Sequence, residues 1–220
     1  MSAVLILFRR ELSLAWGGGG GPLLACGLLL GLAALAPLSS EAGADLGAVA
    51  GGIAWPALAL ASILSLERLL ERDFEDGALD LIATGPVPLE LVVLTKAKAQ
   101  WLANGLPLAL TAPVAAIALG MPAHHASLVA LTALIGGLAF AYVGAMGAAL
   151  ALGSKRGGLL IAVIVLPLFA PPVIFGAGAL TRVMMNVSPW PAVVFLTAYT
   201  LFAAVVAALA GAAAVRSAVS

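Results

Sequence analysis

Six long stretches of this chain contain no Asp, Glu, Lys, Arg or His: residues 22–38, 48–66, 101–120, 126–152, 159–180 and 191–215. A helix needs about 20 predominantly apolar residues to cross a bilayer. The stretches predict an all-α polytopic membrane protein with six transmembrane helices. Composition agrees, with 63% hydrophobic and 9% charged residues where a soluble domain carries about 25% charged.

The basic residues set the expected orientation. With residues 1–21 in the cytoplasm, Arg9, Arg10, Arg68, Arg72, Lys96, Lys98, Lys155, Arg156 and Arg216 all fall inside, and Arg182 falls outside. Positive charge collects on the cytoplasmic side, so both termini are expected there, which requires an even number of spans. Arg9, Arg10 and Glu11 interrupt the first apolar residues, so no cleavable signal peptide is expected. The single Cys26 lies in the first span and reads as a small apolar side chain.

Before the first span, Leu5, Phe8, Leu12 and Trp16 share a helical face opposite Arg9 and Ser13. That pattern predicts an interfacial helix on the cytoplasmic leaflet, followed by a glycine hinge from Gly17 to Gly21. Pro107 and Pro113 predict a kink in span three. Pro167, Pro171 and Pro172 predict a broken fifth helix, with a short re-entrant element beyond. Gly136, Gly137, Gly144 and Gly147 make span four suited to close helix approach. Trp101 reads as an interfacial anchor, and His124 and His125 as a solvated external turn.

Eleven of the twenty Asp, Glu, Lys and Arg residues lie between positions 67 and 98. Leu66, Leu70, Phe74, Ala78 and Leu81 recur there at helical spacing, with Glu67, Arg68, Glu71, Arg72, Glu75 and Asp76 opposite. The expected amphipathic helix is weakened at Asp76-Gly77. It stops at Gly85-Pro86, and Pro88 opens a second helix towards the membrane. Arg68–Glu71 and Arg72–Glu75 are placed to pair locally. Seven acids (Glu67, Glu71, Asp73, Glu75, Asp76, Asp80, Glu90) stand against four bases (Arg68, Arg72, Lys96, Lys98). The acids lack histidine partners and metal-ligand spacing. A solvated helix face or a docking surface for a basic groove on a cytoplasmic protein fits them better.

Active transport driven by ions needs ionisable groups within the spans, and the six stretches have none. There is no P-loop motif. Energy for any active transport must therefore come from another chain.

These residues also carry a family resemblance. Leu64-Ser65-Leu66-Glu67-Arg68-Leu69, Asp73-Phe74-Glu75-Asp76-Gly77-Ala78-Leu79-Asp80-Leu81 and Gly85-Pro86-Val87-Pro88-Leu89 resemble the CcmB family of cytochrome c maturation proteins, also called haem exporter protein B. Val93-Leu94-Thr95-Lys96-Ala97, Trp101, Gly105-Leu106-Pro107-Leu108, Leu166-Pro167-Leu168 and Pro172-Val173-Ile174-Phe175 extend it along the chain. Gln100 stands where the family is expected to have histidine, so any role of that histidine does not transfer.

The resemblance implies an ABC-2 exporter-like permease of the bacterial inner membrane, itself without catalytic activity. It would work as two copies with the ATPase CcmA, beside CcmC, CcmD and the haem chaperone CcmE, with no nucleic acid involved. The segment 67–98 would be the coupling element. Its expected docking residues are Glu67, Arg68, Glu71, Arg72, Asp73, Phe74, Glu75, Asp76, Gly77, Asp80, Pro86 and Pro88. ATP would sit on the partner and haem would be handled by the complex, with no cofactor assigned to this chain. For a haem contact the candidates are Arg182, which could meet a propionate, and Met184 and Met185, which could ligate iron. A subunit exporting a lipid or drug, or a passive scaffold for the haem-handling subunits, fits the same residues.

Overall fold

The computed structural model describes residues 3–17, 21–40, 45–64, 66, 69–154 and 157–219. Among these residues all regular structure is helical. In chain order the helices are α1 (Ala3–Gly17), α2 (Gly21–Ser39), α3 (Ala50–Ile63), α4 (Glu71–Glu75), α5 (Ala78–Ala83), α6 (Leu89–Gln100), α7 (Leu106–Ala118), α8 (Ala126–Leu150), α9 (Gly157–Met184) and α10 (Trp190–Ala218). Of the expected glycine hinge, residues 18–20 lie outside the described residues.

Five stretches among the described residues are long and apolar enough to cross a membrane: Pro22–Ser39, Leu89–Ala118, Ala123–Leu150, Val163–Met184 and Trp190–Ala218. The expected second span coincides with a shorter apolar helix, Gly47–Ile63. Past Ile63 the chain enters overlapping turns, with the Leu66 N–H donating to Ile63 O at 3.0 Å and the Leu69 N–H to Leu66 O at 3.2 Å. Helix α3 buries Ala54, Trp55, Leu58 and Ala61 against protein, packing on α2, α7 and α9.

Helix α8 is the hub, in contact with α6, α7, α9 and α10. Its burial rests on small residues. Trp55 of α3 occupies a notch between Gly136 of α8 and Gly176 of α9. A Cβ at those glycines would lie 2.5 Å and 2.0 Å from the indole. Phe140 meets Trp55 edge-on, ring centroids 6.2 Å apart, and Phe169 closes the cluster at 4.4 Å from Phe140. Leu23, Leu38, Val163, Ile174, Phe195 and Phe202 are exposed on the outer helices, as expected of a surface solvated by lipid.

The prolines of the fifth stretch do not break it. Helix α9 runs unbroken over 28 residues with Pro167, Pro171 and Pro172 inside, which corrects the expected re-entrant element. Proline lacks the N–H that would bond the carbonyl four residues back, so Pro172 leaves Leu168 O without its helical donor. The Tyr199 hydroxyl on α10 donates to Leu168 O at 2.5 Å. A neighbouring helix thus satisfies a group that lipid could not.

The helix that opens at Leu89, directly after Pro88 as expected, continues without a break through a π turn at Trp101–Gly105 to Ala118, so it includes the stretch expected from position 101. There the Leu106 N–H reaches back to Trp101 O. The ionisable residues Glu90, Lys96 and Lys98 therefore belong to the same continuous helix as span three. The Trp101 indole covers Gly105 and donates to Leu134 O of α8 at 3.1 Å.

Substituting Gly176→Ala should cost about 1–3 kcal/mol through overpacking against Trp55, read as a lower unfolding temperature of the purified protein. Gly178→Ala, where a Cβ meets nothing within 4 Å, should be neutral or slightly stabilising.

Candidate functional site

The polar segment folds as two short helices. Gly77 takes a left-handed conformation, φ 69°, which glycine adopts without steric penalty, and it separates α4 from α5. The break resets the helical phase. Leu66 and Leu70 are buried as expected, but past Gly77 the buried leucine is Leu79, and Leu81 is 76% exposed. The expected continuous stripe ending at Leu81 is therefore corrected. Leu66 fits where a side chain at Gly144 of α8 would stand, its methyls 2.3 Å from that Cβ position. Phe74 packs against the core. Pro88 precedes the first residue of α6 in extended geometry, φ −54° and ψ 138°.

Asp73 is not part of the outer face. It is 3% exposed, and Lys96 of α6 is 1% exposed. The two pair with each other. Lys96 Nζ also meets Glu11 Oε2 of α1 at 2.9 Å. Arg10 grips Asp73 with both nitrogens, Nη2 to Oδ1 at 2.6 Å and Nη1 to Oδ2 at 3.3 Å. It also donates Nη1 to Glu11 Oε1 at 2.8 Å. Each of the four charges touches two of opposite sign, so the ring is neutral and closed. It joins α1, α4 and α6.

Helix α1 accordingly packs on α6 with Glu11 as its buried position, while Leu5 and Ile6 are exposed. The ion pairs set which side of α1 meets α6; of the expected apolar face, Leu5 is exposed and Phe8 and Leu12 are half-buried. The side chain of Trp16 lies outside what is described. Burial alone would raise the Asp73 carboxyl, but the Arg10 hydrogen bonds and the Lys96 charge outweigh it and hold the group below the usual carboxylate range.

The exposed residues of the segment are Glu71, Arg72, Glu75, Asp76 and Asp80, with Pro86 and Pro88 beyond. Glu67 and Arg68 lie outside the described residues, and with them the expected Arg68–Glu71 pair. Arg72 and Glu75, the other expected pair, do not form an ion pair with each other. Among the described residues of α4, α5 and the turn between them the exposed side chains thus include four acids, one base and Leu81. Beside them, residues 83–90 with Arg216 and Val219 line an open groove of about 600 Å³, and Arg216 pairs with Glu90 across it.

At the opposite end, Arg182 Nε donates to Ser188 O at 2.7 Å, closing the turn between α9 and α10. Met184 packs against the core, while Met185 is 69% exposed. His124, exposed, and His125, half-buried, lie in the turn Ala123–His125 with ring centroids 3.9 Å apart. Among the described residues no group of three or more His, Cys, Asp or Glu is placed to hold a metal.

Sequence reasoning missed Arg10, Glu11 and Lys96 as a unit. The signal was present in phase: Lys96 stands three and four residues after Val93 and Val92, on the buried face of α6, whereas Lys98 does not.

Asp73→Asn should lower stability by about 3 kcal/mol, the lower end of what removing one partner of a buried pair costs, since Glu11 remains on Lys96. Because the Asp73 carboxyl is depressed, its contribution is complete above the unfolded value of about 4 and fades as pH falls through the lower folded value. The stability gap between wild type and Asp73→Asn, measured by thermal unfolding, should be constant from pH 7 to about 5 and narrow as pH falls below the unfolded value of about 4.

Comparison with known proteins places these features in context. The family model for CcmB protein matches residues 2–218. Heme exporter protein B of Paracoccus denitrificans (strain Pd 1222) is 45% identical over 217 residues, covering 98% of both chains. That of Bradyrhizobium diazoefficiens is 40% identical over 220 residues, again 98% of both. That of Escherichia coli (strain K12) is 37% identical over 138 residues, 63% of each chain.

Proposed function

The chain belongs to the CcmB family, and from that premise we propose that it is the permease subunit of a haem-exporter complex, powered by ATP hydrolysis on a partner subunit. In this proposal it is an ABC-2-like subunit of the bacterial inner membrane, with six spans, both termini cytoplasmic and α1 at the inner leaflet. Residues 67–98 form the coupling element, and the partner ATPase CcmA docks there. Two copies of the chain serve with CcmC, CcmD and the haem chaperone CcmE, whose haem-loaded form is released when the ATPase turns over. The chain carries no catalytic role, and haem is handled by the complex without a binding site assigned to this subunit.

The observation that supports this most is the two-sided build of the coupling segment. Its outer side offers Glu71, Glu75, Asp76, Asp80 and Leu81 to a partner with a basic rim and an apolar pocket. Its inner side is held by Asp73 to Arg10 of α1 and to Lys96 on the helix that continues into span three. A push on the outer face therefore reaches two membrane elements through charged contacts that are costly to break. A passive scaffold has no need of that linkage.

Reversing two exposed acids, Asp76→Lys with Asp80→Lys, should leave membrane insertion and thermal stability intact and abolish co-purification of the ATPase. Full recovery of the ATPase with the double variant would overturn the docking assignment. Exposed charges are screened over about 8 Å at physiological salt and about 3 Å at 1 M. Co-purification of the wild-type complex should accordingly weaken as salt is raised, and a Leu81→Ala variant should dissociate at lower salt than wild type.

A further inference from the structure

Lys96, Gln100 and Asn104 follow one another at four-residue intervals on the helix Leu89–Ala118, and all three are buried. Polar character thus continues two turns inward from the charged ring, to the π turn. Asn104 is 4% exposed, and its Oδ1 has no hydrogen-bond partner among the described residues. A buried amide oxygen left in that state is costly, and native structures rarely tolerate it without a partner such as ordered water. Asn104 lines a cavity of about 10 Å³ with Ser62, Gln100, Trp101 and Phe140. By that measure one water molecule needs roughly 10–15 Å³ and two to four polar partners. Asn104, Ser62 and Gln100 supply the polar partners, and the space admits nothing larger.

We propose that this cavity is a binding site for a single water molecule that donates a hydrogen bond to Asn104 Oδ1 and is shared with Ser62 and Gln100. The site is independent of any partner or cargo. A π turn has a widened hydrogen-bond ladder, and water beside such a ladder is one of the few things that lets a helix bend sharply.

The test is radiolytic hydroxyl labelling of the full chain in lipid nanodiscs, in oxygen-18 water, read by mass spectrometry. A buried side chain is labelled only where water lies against it. Phe140 lines the cavity, whereas Phe169 does not, and both are almost fully buried. Phe140 should be labelled several-fold faster than Phe169, and Asn104→Leu, which removes the acceptor, should reduce Phe140 to the Phe169 rate. Equal labelling of the two phenylalanines in the wild type would overturn the proposal, as would undiminished Phe140 labelling in a folded Asn104→Leu variant. Should that variant fail to fold, density in a high-resolution map of the wild type decides. A compact peak roughly 2.5–3.0 Å from Asn104 Oδ1 supports the site, and no peak, or an extended lipid-like one, refutes it.

Discussion

The ammonium of Lys96 is removed from water on every side, and a charge so placed persists only with opposite charge in contact. Glu11 and Asp73 supply it from two distant parts of the chain, and Arg10 then neutralises the excess negative charge that they create. Much follows from this. Helix α1 must lie with Glu11 inward, which leaves Leu5 and Ile6 outward. Helix α4 must turn Asp73 inward, so that its remaining acids face away. Replacing the whole ring with apolar residues of similar volume need not reduce stability. Its contribution is to specify one arrangement of three elements that greasy packing alone would leave free to slide.

The membrane part achieves order by a different device. Helices that differ little from lipid in polarity gain no hydrophobic stabilisation from association, and close packing has to substitute for it. The glycine notches at Gly136, Gly144 and Gly176 receive Trp55 and Leu66 as bulky knobs. Each notch admits one partner and rejects any added methyl. Since Leu66 begins the polar segment and Trp55 sits in the middle of α3, the same helix α8 fixes both the interior of the bundle and the root of the coupling element.

Much of this was legible in the residues, because apolar length and charge position are properties of the sequence itself. The helical class, the break at Asp76-Gly77, the stop at Gly85-Pro86 and the helix opening after Pro88 follow from local chemistry. The phase beyond Gly77 did not, since a single left-handed residue rotates everything after it and exchanges Leu79 for Leu81 on the buried side. The ring was hidden because Arg10 and Asp73 are 63 positions apart, while pairing rules read neighbours three or four apart. The prolines of α9 misled for the same reason: whether a lost donor breaks a helix depends on what stands opposite, and Tyr199 is supplied by another element.

That unbroken but donor-poor α9 has a mechanical consequence. Every helix resists flexing through its ladder of axial hydrogen bonds, and three prolines within six positions delete rungs of that ladder over less than two turns. Helix α9 is consequently less restrained by its own ladder than the neighbouring α8, which has no proline. The phenol of Tyr199 acts on it as a lateral tether to α10, where the backbone has lost its own restraint. When the bundle is deformed, strain will collect in this short interval of α9, and α10 will be drawn along with it.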